Sequence, residues 1–213
     1  METIDFSTEL ARQLQSMSWM DWVATLTALI YVVLAARENN WCWLFGIISC
    51  SLWAYVTFAF YQLYLDAILQ LFYVIMSFVG LYRWKYGGQA NSALPISRLS
   101  GQAHLLWAIT GLILSLGFGY FFAAYTSAAA TYLDALTTVF SVIATFLLIQ
   151  KRLDNWLYWV LIDALYAYLY FSRGALLFGL LMVIYVIIAS VALYNWIQIY
   201  KQEKQLLDAN YLE

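Results

Sequence analysis

The chain alternates long apolar runs with short polar breaks. A helix needs roughly 17 to 25 apolar residues to cross about 30 Å of hydrocarbon. Seven runs have that length or nearly so: Trp19 to Ala36, Trp41 to Phe60, Leu63 to Trp84, Leu105 to Ala124, Tyr132 to Ile149, Trp156 to Phe171 and Leu176 to Tyr200. They are continuous where barrel strands would alternate, and far exceed the roughly ten residues of such a strand. The pattern predicts an all-α integral membrane protein with seven transmembrane helices.

Composition agrees: 65% of the 213 residues are hydrophobic, 19% aromatic and 10% charged, with one proline, Pro95. So little charge cannot cover a soluble domain. The net charge of −2 gives no case for nucleic acid as a partner, and lipid is the expected surroundings. Basic residues matter by position. Arg37, Arg83, Lys85, Arg98, Lys151, Arg152, Lys201 and Lys204 fall on one side of the seven crossings, and Arg12 and Arg173 on the other. By the positive-inside rule the N-terminus is outside and the C-terminus cytoplasmic. The predicted organisation is an extracytoplasmic segment 1–18, a three-helix bundle 19–84, a cytoplasmic loop 85–104, a linker helix 105–124, a second bundle 132–200 and a cytoplasmic tail 201–213. The N-terminal segment lacks the basic start and apolar core of a cleaved signal.

The two bundles repeat each other. Asp21 and Thr25 match Asp134 and Thr138, Asn40-Trp41 matches Asn155-Trp156, Tyr55 matches Tyr170, Tyr73 matches Tyr185, and Trp84 matches Trp196, at separations of 112 to 115 residues. With one helix between the copies, helix five enters the membrane in the same sense as helix one. This is a 3+1+3 parallel repeat, an arrangement that binds substrate near the midplane between halves.

Polar residues inside the runs point to that site. Trp156, Trp159, Asp163, Tyr166 and Tyr170 follow helical spacing, so carboxylate and rings share a face. Asp66, Gln70, Tyr73 and Ser77 form a similar stripe in the third run, and Gln70 and Asp163 lie about 10 and 12 Å from the outer ends of their helices. An intramembrane Asp costs about 2.5 to 3.5 kcal/mol on insertion scales, so it faces a cavity or a partner. Rings with carboxylates suit a flat organic cation. Asp21 and Asp134 recur near helix starts, where a carboxylate favours the helix dipole, and read as structural.

Absences narrow the class. There is no phosphate loop for ATP hydrolysis. The single histidine, His104, excludes paired histidine ligation of haem. Every lysine lies in a loop or terminal segment, so no retinal-type Schiff base is available inside the bundle. Cys42 and Cys50 make neither a disulfide framework nor a metal site. No cofactor and no catalysis are expected; paired acid–base chemistry by Asp66 and Asp163 is a distant alternative.

The strings LFGIIS, LYLDAILQLFY, LDALTTVFSVIATFLLIQKR and DNWLYWVLIDALYAYLY resemble the Pnu-type vitamin transporters, over most of the chain. The resemblance implies a SWEET-like fold, a homotrimer in the bacterial inner membrane, and facilitated diffusion of a vitamin that a cytoplasmic kinase traps. It places Asn155, Trp156, Trp159 and Gln70 at the ligand, beside Asp163, Tyr166, Asp66 and Tyr73 from the spacing argument. Nicotinamide riboside is the first expected cargo and thiamine, also a flat cation, the second.

Overall fold

A computed structural model describes residues 6–62, 64–125 and 131–210. The helices are α1 (Phe6–Ser16), α2 (Trp19–Ala36), α3 (Cys42–Ala59), α4 (Tyr64–Tyr86), α5 (Gly101–Tyr125), α6 (Thr131–Ile149), α7 (Asn155–Ser172) and α8 (Leu176–Asn210). Among the described residues six, α2 to α6 and α8, are long and apolar enough to cross a membrane. The seventh long helix, α7, falls short because its 18 residues include Asn155, Asp163 and several Trp and Tyr.

Three boundaries differ from expectation. The polar lead-in forms α1, whose amphipathic stretch FSTELARQLQS is too short to register as a hydrophobic run. The fourth long helix begins at Gly101, inside the expected loop. The expected tail continues α8 as helix to Asn210, since KQEKQLLDAN contains no breaker.

Ser18 starts α2 with a capping box: its hydroxyl accepts from the Asp21 N–H at 3.2 Å, and the Asp21 carboxylate accepts from the Ser18 N–H at 2.8 Å. α2, α3 and α4 pack in sequence, as do α6, α7 and α8, while α5 leans on α6. Gly111, Ser115 and Gly119, four apart, form the close face of α5 against Phe140 and Tyr132. The two sets meet where α2 packs on α8 and α4 on α6.

These meetings are reciprocal. The Trp84 indole donates to the Leu148 carbonyl at 3.0 Å, and the Trp196 indole donates to the Ala36 carbonyl at 3.2 Å. Each donor and each acceptor is 112 residues from its counterpart. Trp43 packs edge-on against Trp84 at 5.2 Å, Trp156 edge-on against Trp196 at 5.6 Å, and Trp84 meets Trp196 at 5.7 Å, so four buried indoles run across the junction. Gly80 makes room for this row, since a Cβ there would sit 2.5 Å from the Trp43 ring. The structural counterpart of Trp156 is therefore Trp43. Trp41, paired with it by the shared Asn-Trp letters, is 65% exposed. With α3 starting at Cys42 and α7 at Asn155, the position in α3 that aligns with Asp163 is Cys50.

The junction lies at the end of the bundle that carries the eight basic residues, called the basic end below; the other is the N-terminal end. At the basic end the segment after α4 crosses to the α6–α7 turn. Ser97 N–H donates to the Lys151 carbonyl and Leu153 N–H to the Ser97 carbonyl, at 3.0 and 2.9 Å. Asp154 then accepts from the Leu99 N–H at 2.7 Å and lies 3.2 Å from the His104 ring. The lone histidine is a loop anchor.

Candidate functional site

The α7 stripe descends through three layers. At the basic end, Asn155 opens α7 and its amide donates to the Arg152 carbonyl at 2.7 Å, closing the turn. Trp156 is 1% exposed in the indole row. Both side chains keep one unanswered polar atom: Asn155 Oδ1 and Trp156 Nε1 are buried without a hydrogen-bond partner.

The middle layer holds Trp159, Asp163 and Tyr166. Trp159 lies partly buried between the indole row and a second apolar cluster of Val139, Ile143, Ala144, Leu147, Tyr158 and Ile162. Asp163 is 6% exposed, and among the described residues no hydrogen bond or ion pair reaches it. From α8, Tyr185 comes near enough to interact with it electrostatically, and Cys50 of α3 also faces Tyr185. Tyr73 of α4 lies within electrostatic reach of Tyr166 and Cys50, and Tyr31 of α2 within reach of Cys50, Tyr73 and Tyr185. The Tyr73 and Ser141 hydroxyls approach each other but fall short of full hydrogen-bond geometry. Gln70 is half-buried on the same helix as Tyr73.

At the N-terminal end, Tyr166 stacks on Tyr170 at 6.1 Å, and Tyr170 meets Phe178 at a tilt with centroids 5.7 Å apart. Asp66 belongs here: it is exposed and interacts with Asp134 and Tyr170, about one helical turn from Gln70. Asp134 receives both Nη2 contacts of Arg173 at 2.9 and 3.1 Å. Its counterpart Asp21 receives the Tyr61 hydroxyl at 3.1 Å. Each recurring aspartate thus clasps the far turn of its own helix set. Burial and the Asp21 charge push the Tyr61 phenol up, so it stays a donor. α1 lies across this end. Gln13 donates to the Gly174 carbonyl at 2.8 Å and accepts from the Leu177 N–H at 3.0 Å, and Glu9, held down to about 2 by Arg12 and Gln13, steadies it.

Two hollows stand apart from Asp163. One of ≈ 300 Å³ between α5 and α6 is lined by Leu112, Ser115, Leu116, Tyr132, Leu133 and Leu136, with almost nothing to orient a polar ligand. The other, ≈ 240 Å³, sits under α1 among Glu9, Asp21, Tyr61, Arg173 and Phe178. Neither is lined by Asp163.

Sequence reasoning missed Tyr185, Cys50 and Tyr31 as members of the middle layer. Tyr185 was within reach, because it is the repeat counterpart of Tyr73. Cys50 required the helix boundaries, and Tyr31 lies on an otherwise featureless apolar helix.

Several apolar spans enclosing an unanswered carboxylate at half height are the construction of a polytopic membrane carrier. The sequence model described as "Nicotinamide mononucleotide transporter" matches residues 18–198, and the chain belongs to that family, one of transporters and not of enzymes. The nicotinamide riboside transporter PnuC of Neisseria mucosa is 27% identical over 196 residues, covering 87% of this chain and 74% of that protein. The Escherichia coli protein of the same name is 27% identical over 207 residues, covering 85% and 86%. A solved structure, titled "Crystal structure of the Vitamin B3 transporter PnuC", superposes with a TM-score of 0.71 at 27% identity, over 92% of this chain and 90% of that one. The chain is a multi-pass membrane transporter of the bacterial inner membrane.

Proposed function

We propose that this protein takes up nicotinamide riboside, bound in the middle layer between the two helix sets. The observation that carries the reading is Asp163, a buried carboxylate that no described residue answers, on the α7 stripe with Trp159 and Tyr166 and within electrostatic reach of Tyr185. A pyridinium ring meets both demands, by ion pairing and by cation–π contact worth up to about 2 kcal/mol when desolvated. Gln70 is available to the ribose or carboxamide. Trp156 and Asn155 form the floor, with Nε1 and Oδ1 as spare polar atoms.

The same observation favours the riboside over the mononucleotide of the family description. A phosphate needs cations. Lys151 is engaged by Glu38, Arg173 by Asp134, and the middle layer contributes only a carboxylate and neutral groups.

In this reading α7 is the seventh span, and α2–α4 and α6–α8 are parallel repeats about an axis along the membrane normal, joined by α5, as in SWEET-like folds. The reciprocal Trp84 and Trp196 bonds and the matched left-handed residues Glu38 and Lys151, at φ 60° and 48°, support it. The basic end is cytoplasmic and the N-terminal end external. The domain limits follow the expected organisation with the linker helix extended to Gly101–Tyr125, α1 on the external face and the tail helical. The assembly is a homotrimer.

Purified protein in liposomes is expected to take up labelled nicotinamide riboside without ATP, and nicotinamide mononucleotide and thiamine more weakly. Trp159→Ala and Asp163→Asn are each expected to weaken binding about tenfold or more, about 1.4 kcal/mol. Preference for thiamine would reassign the cargo, and unchanged affinity in both variants would remove the site from α7.

A further inference from the structure

The hollow of ≈ 240 Å³ under α1 has walls from both helix sets: Asp21 and Tyr61 come from the first, Arg173 and Phe178 from the second, and Gln13 of α1 roofs it. Its charges are unevenly engaged. Arg12 is held by Glu9 and Arg173 by Asp134, so both guanidiniums in the wall have carboxylate partners. Asp21 is 2% exposed; its Oδ2 accepts from the Ser18 N–H and the Tyr61 hydroxyl, while its Oδ1 is buried with no hydrogen-bond partner. A buried carboxylate oxygen without a donor is costly, so it draws one from whatever fills the space beside it. Asp66, exposed and within electrostatic reach of Asp134, joins Glu9, Asp21 and Asp134 as a fourth carboxylate against the two guanidiniums, and such a surplus attracts cations.

Rings lead from this hollow to the middle layer. Phe178 in its wall meets Tyr170 with centroids 5.7 Å apart, and Tyr170 stacks on Tyr166 at 6.1 Å. Tyr166 shares the α7 stripe with Asp163, and the run from Tyr170 to Asp163 covers about 10 Å. The hollow is smaller than the roughly 300 to 1,000 Å³ that encloses a whole drug-sized ligand. It therefore suits one flat ring and its substituent, with the rest of the molecule still outside.

We propose that this hollow is an entry subsite for the transported cation, whose ring lodges against Phe178 with its carboxamide N–H donated to Asp21 Oδ1 before passing along Tyr170 and Tyr166 to Asp163. The proposal rests on the binding reading above, which makes the N-terminal end external. Asp21 then serves twice, Oδ2 in the α2 capping box and Oδ1 for the arriving ligand. The repeat shows the difference: the counterpart Asp134 has both oxygens on Arg173, at 3.1 and 2.9 Å, so the subsite belongs to one half alone. An entry subsite lies on the path and not at its end. It changes how fast the ligand arrives and leaves, because it lowers the barrier from both sides, and leaves the final affinity where the middle layer sets it.

The test is stopped-flow binding of nicotinamide riboside to the purified full chain in detergent, followed by tryptophan fluorescence. Asp21→Asn, which keeps the shape of the side chain, is expected to slow association and dissociation alike by about three- to tenfold, to leave Kd within about twofold, and to flatten the salt dependence of association. Phe178→Leu removes the ring, leaves the capping box untouched and is expected to slow both rates as well; it decides alone should Asp21→Asn fail to fold. A folded variant at either position that associates as fast as wild type overturns the subsite, leaving a hollow filled by water and the binding reading intact. A raised Kd with unchanged association in Asp21→Asn also overturns it, since loss of a purely structural cap would do the same. Absence of binding to the wild-type chain overturns the subsite and the binding reading together.

Discussion

The two ends of the helix bundle are joined by different means. At the basic end the halves share a row of four buried indoles, two reciprocal indole-to-carbonyl bonds, and an ion pair between Lys151 and Glu38 at 2.5 Å. That pair joins residues 113 apart, each with a left-handed backbone, and Lys151 also lies 4.9 Å over the Trp84 ring. At the N-terminal end each half is clasped to itself, Asp21 by Tyr61 and Asp134 by Arg173, and α1 links the halves through the Gln13 side chain. One end is buried and interlocked; the other is more exposed and lightly strapped. An alternating-access carrier in this conformation has its basic end shut firmly, with an N-terminal end that opens at little cost.

The strongest way to break the contrast is Trp84→Ala. It removes the indole between Trp43 and Trp196, a hydrogen bond and the ring beneath Lys151. Large-to-small changes of buried aromatics cost about 3 to 5 kcal/mol. Unfolding in detergent should show a loss of that size, and a value under about 1 kcal/mol would mean the row is not the clamp described.

Lys151→Met comes next. The ammonium is 5% exposed and its partner Glu38 21%, so the change leaves a mostly buried carboxylate unanswered, at a cost of about 3 kcal/mol. Glu203 lies near Glu38 and Lys151, so losing the cation also leaves two carboxylates facing each other. Adding Glu38→Gln should recover part of the loss. A double-mutant cycle with no coupling would reduce the pair to a surface contact.

The contrast also separates what the sequence made legible from what it did not. Long apolar runs fixed the long helices to within a few residues, because span length and hydrocarbon thickness leave little freedom. The site was legible in direction but not in height. Asp66, Gln70 and Tyr73 do follow one helical stripe, but seven residues cover about 10 Å, enough to put Asp66 in the N-terminal-end cluster with Asp134 and Tyr170 and Tyr73 near Cys50. Asn155 and Trp156 were read as ligand groups from their motif; in the fold they first serve the turn and the indole row, each keeping one polar atom spare. Gln13 gave no signal, since a glutamine on a short polar helix acquires meaning only from the turn it reaches.

At the N-terminal end the expected effects are small. Arg173 and Asp134 are 43% and 40% exposed, so Arg173→Ala should cost about 0.2 to 1 kcal/mol, declining with added salt. An effect near that of Lys151→Met would erase the difference between the ends.

Gln13→Ala, also at the N-terminal end, sharpens the comparison most. It deletes the two hydrogen bonds by which α1 reaches the α7–α8 turn and leaves the Ser18 capping box intact. The stability loss should stay near about 1 kcal/mol, because water can replace both bonds at this exposed edge. Access should move more than stability. Gln13 bridges the halves at an end that lacks an indole row, so its loss should favour the externally open state and raise labelling of Cys50 by an impermeant thiol reagent added outside. Cys50 is half-buried beside Tyr73 and Tyr185, whereas Cys42 is buried near the basic end, so a Cys42→Ser background reports on the middle layer alone. Equal labelling with and without Gln13 would demote α1 from strap to bystander.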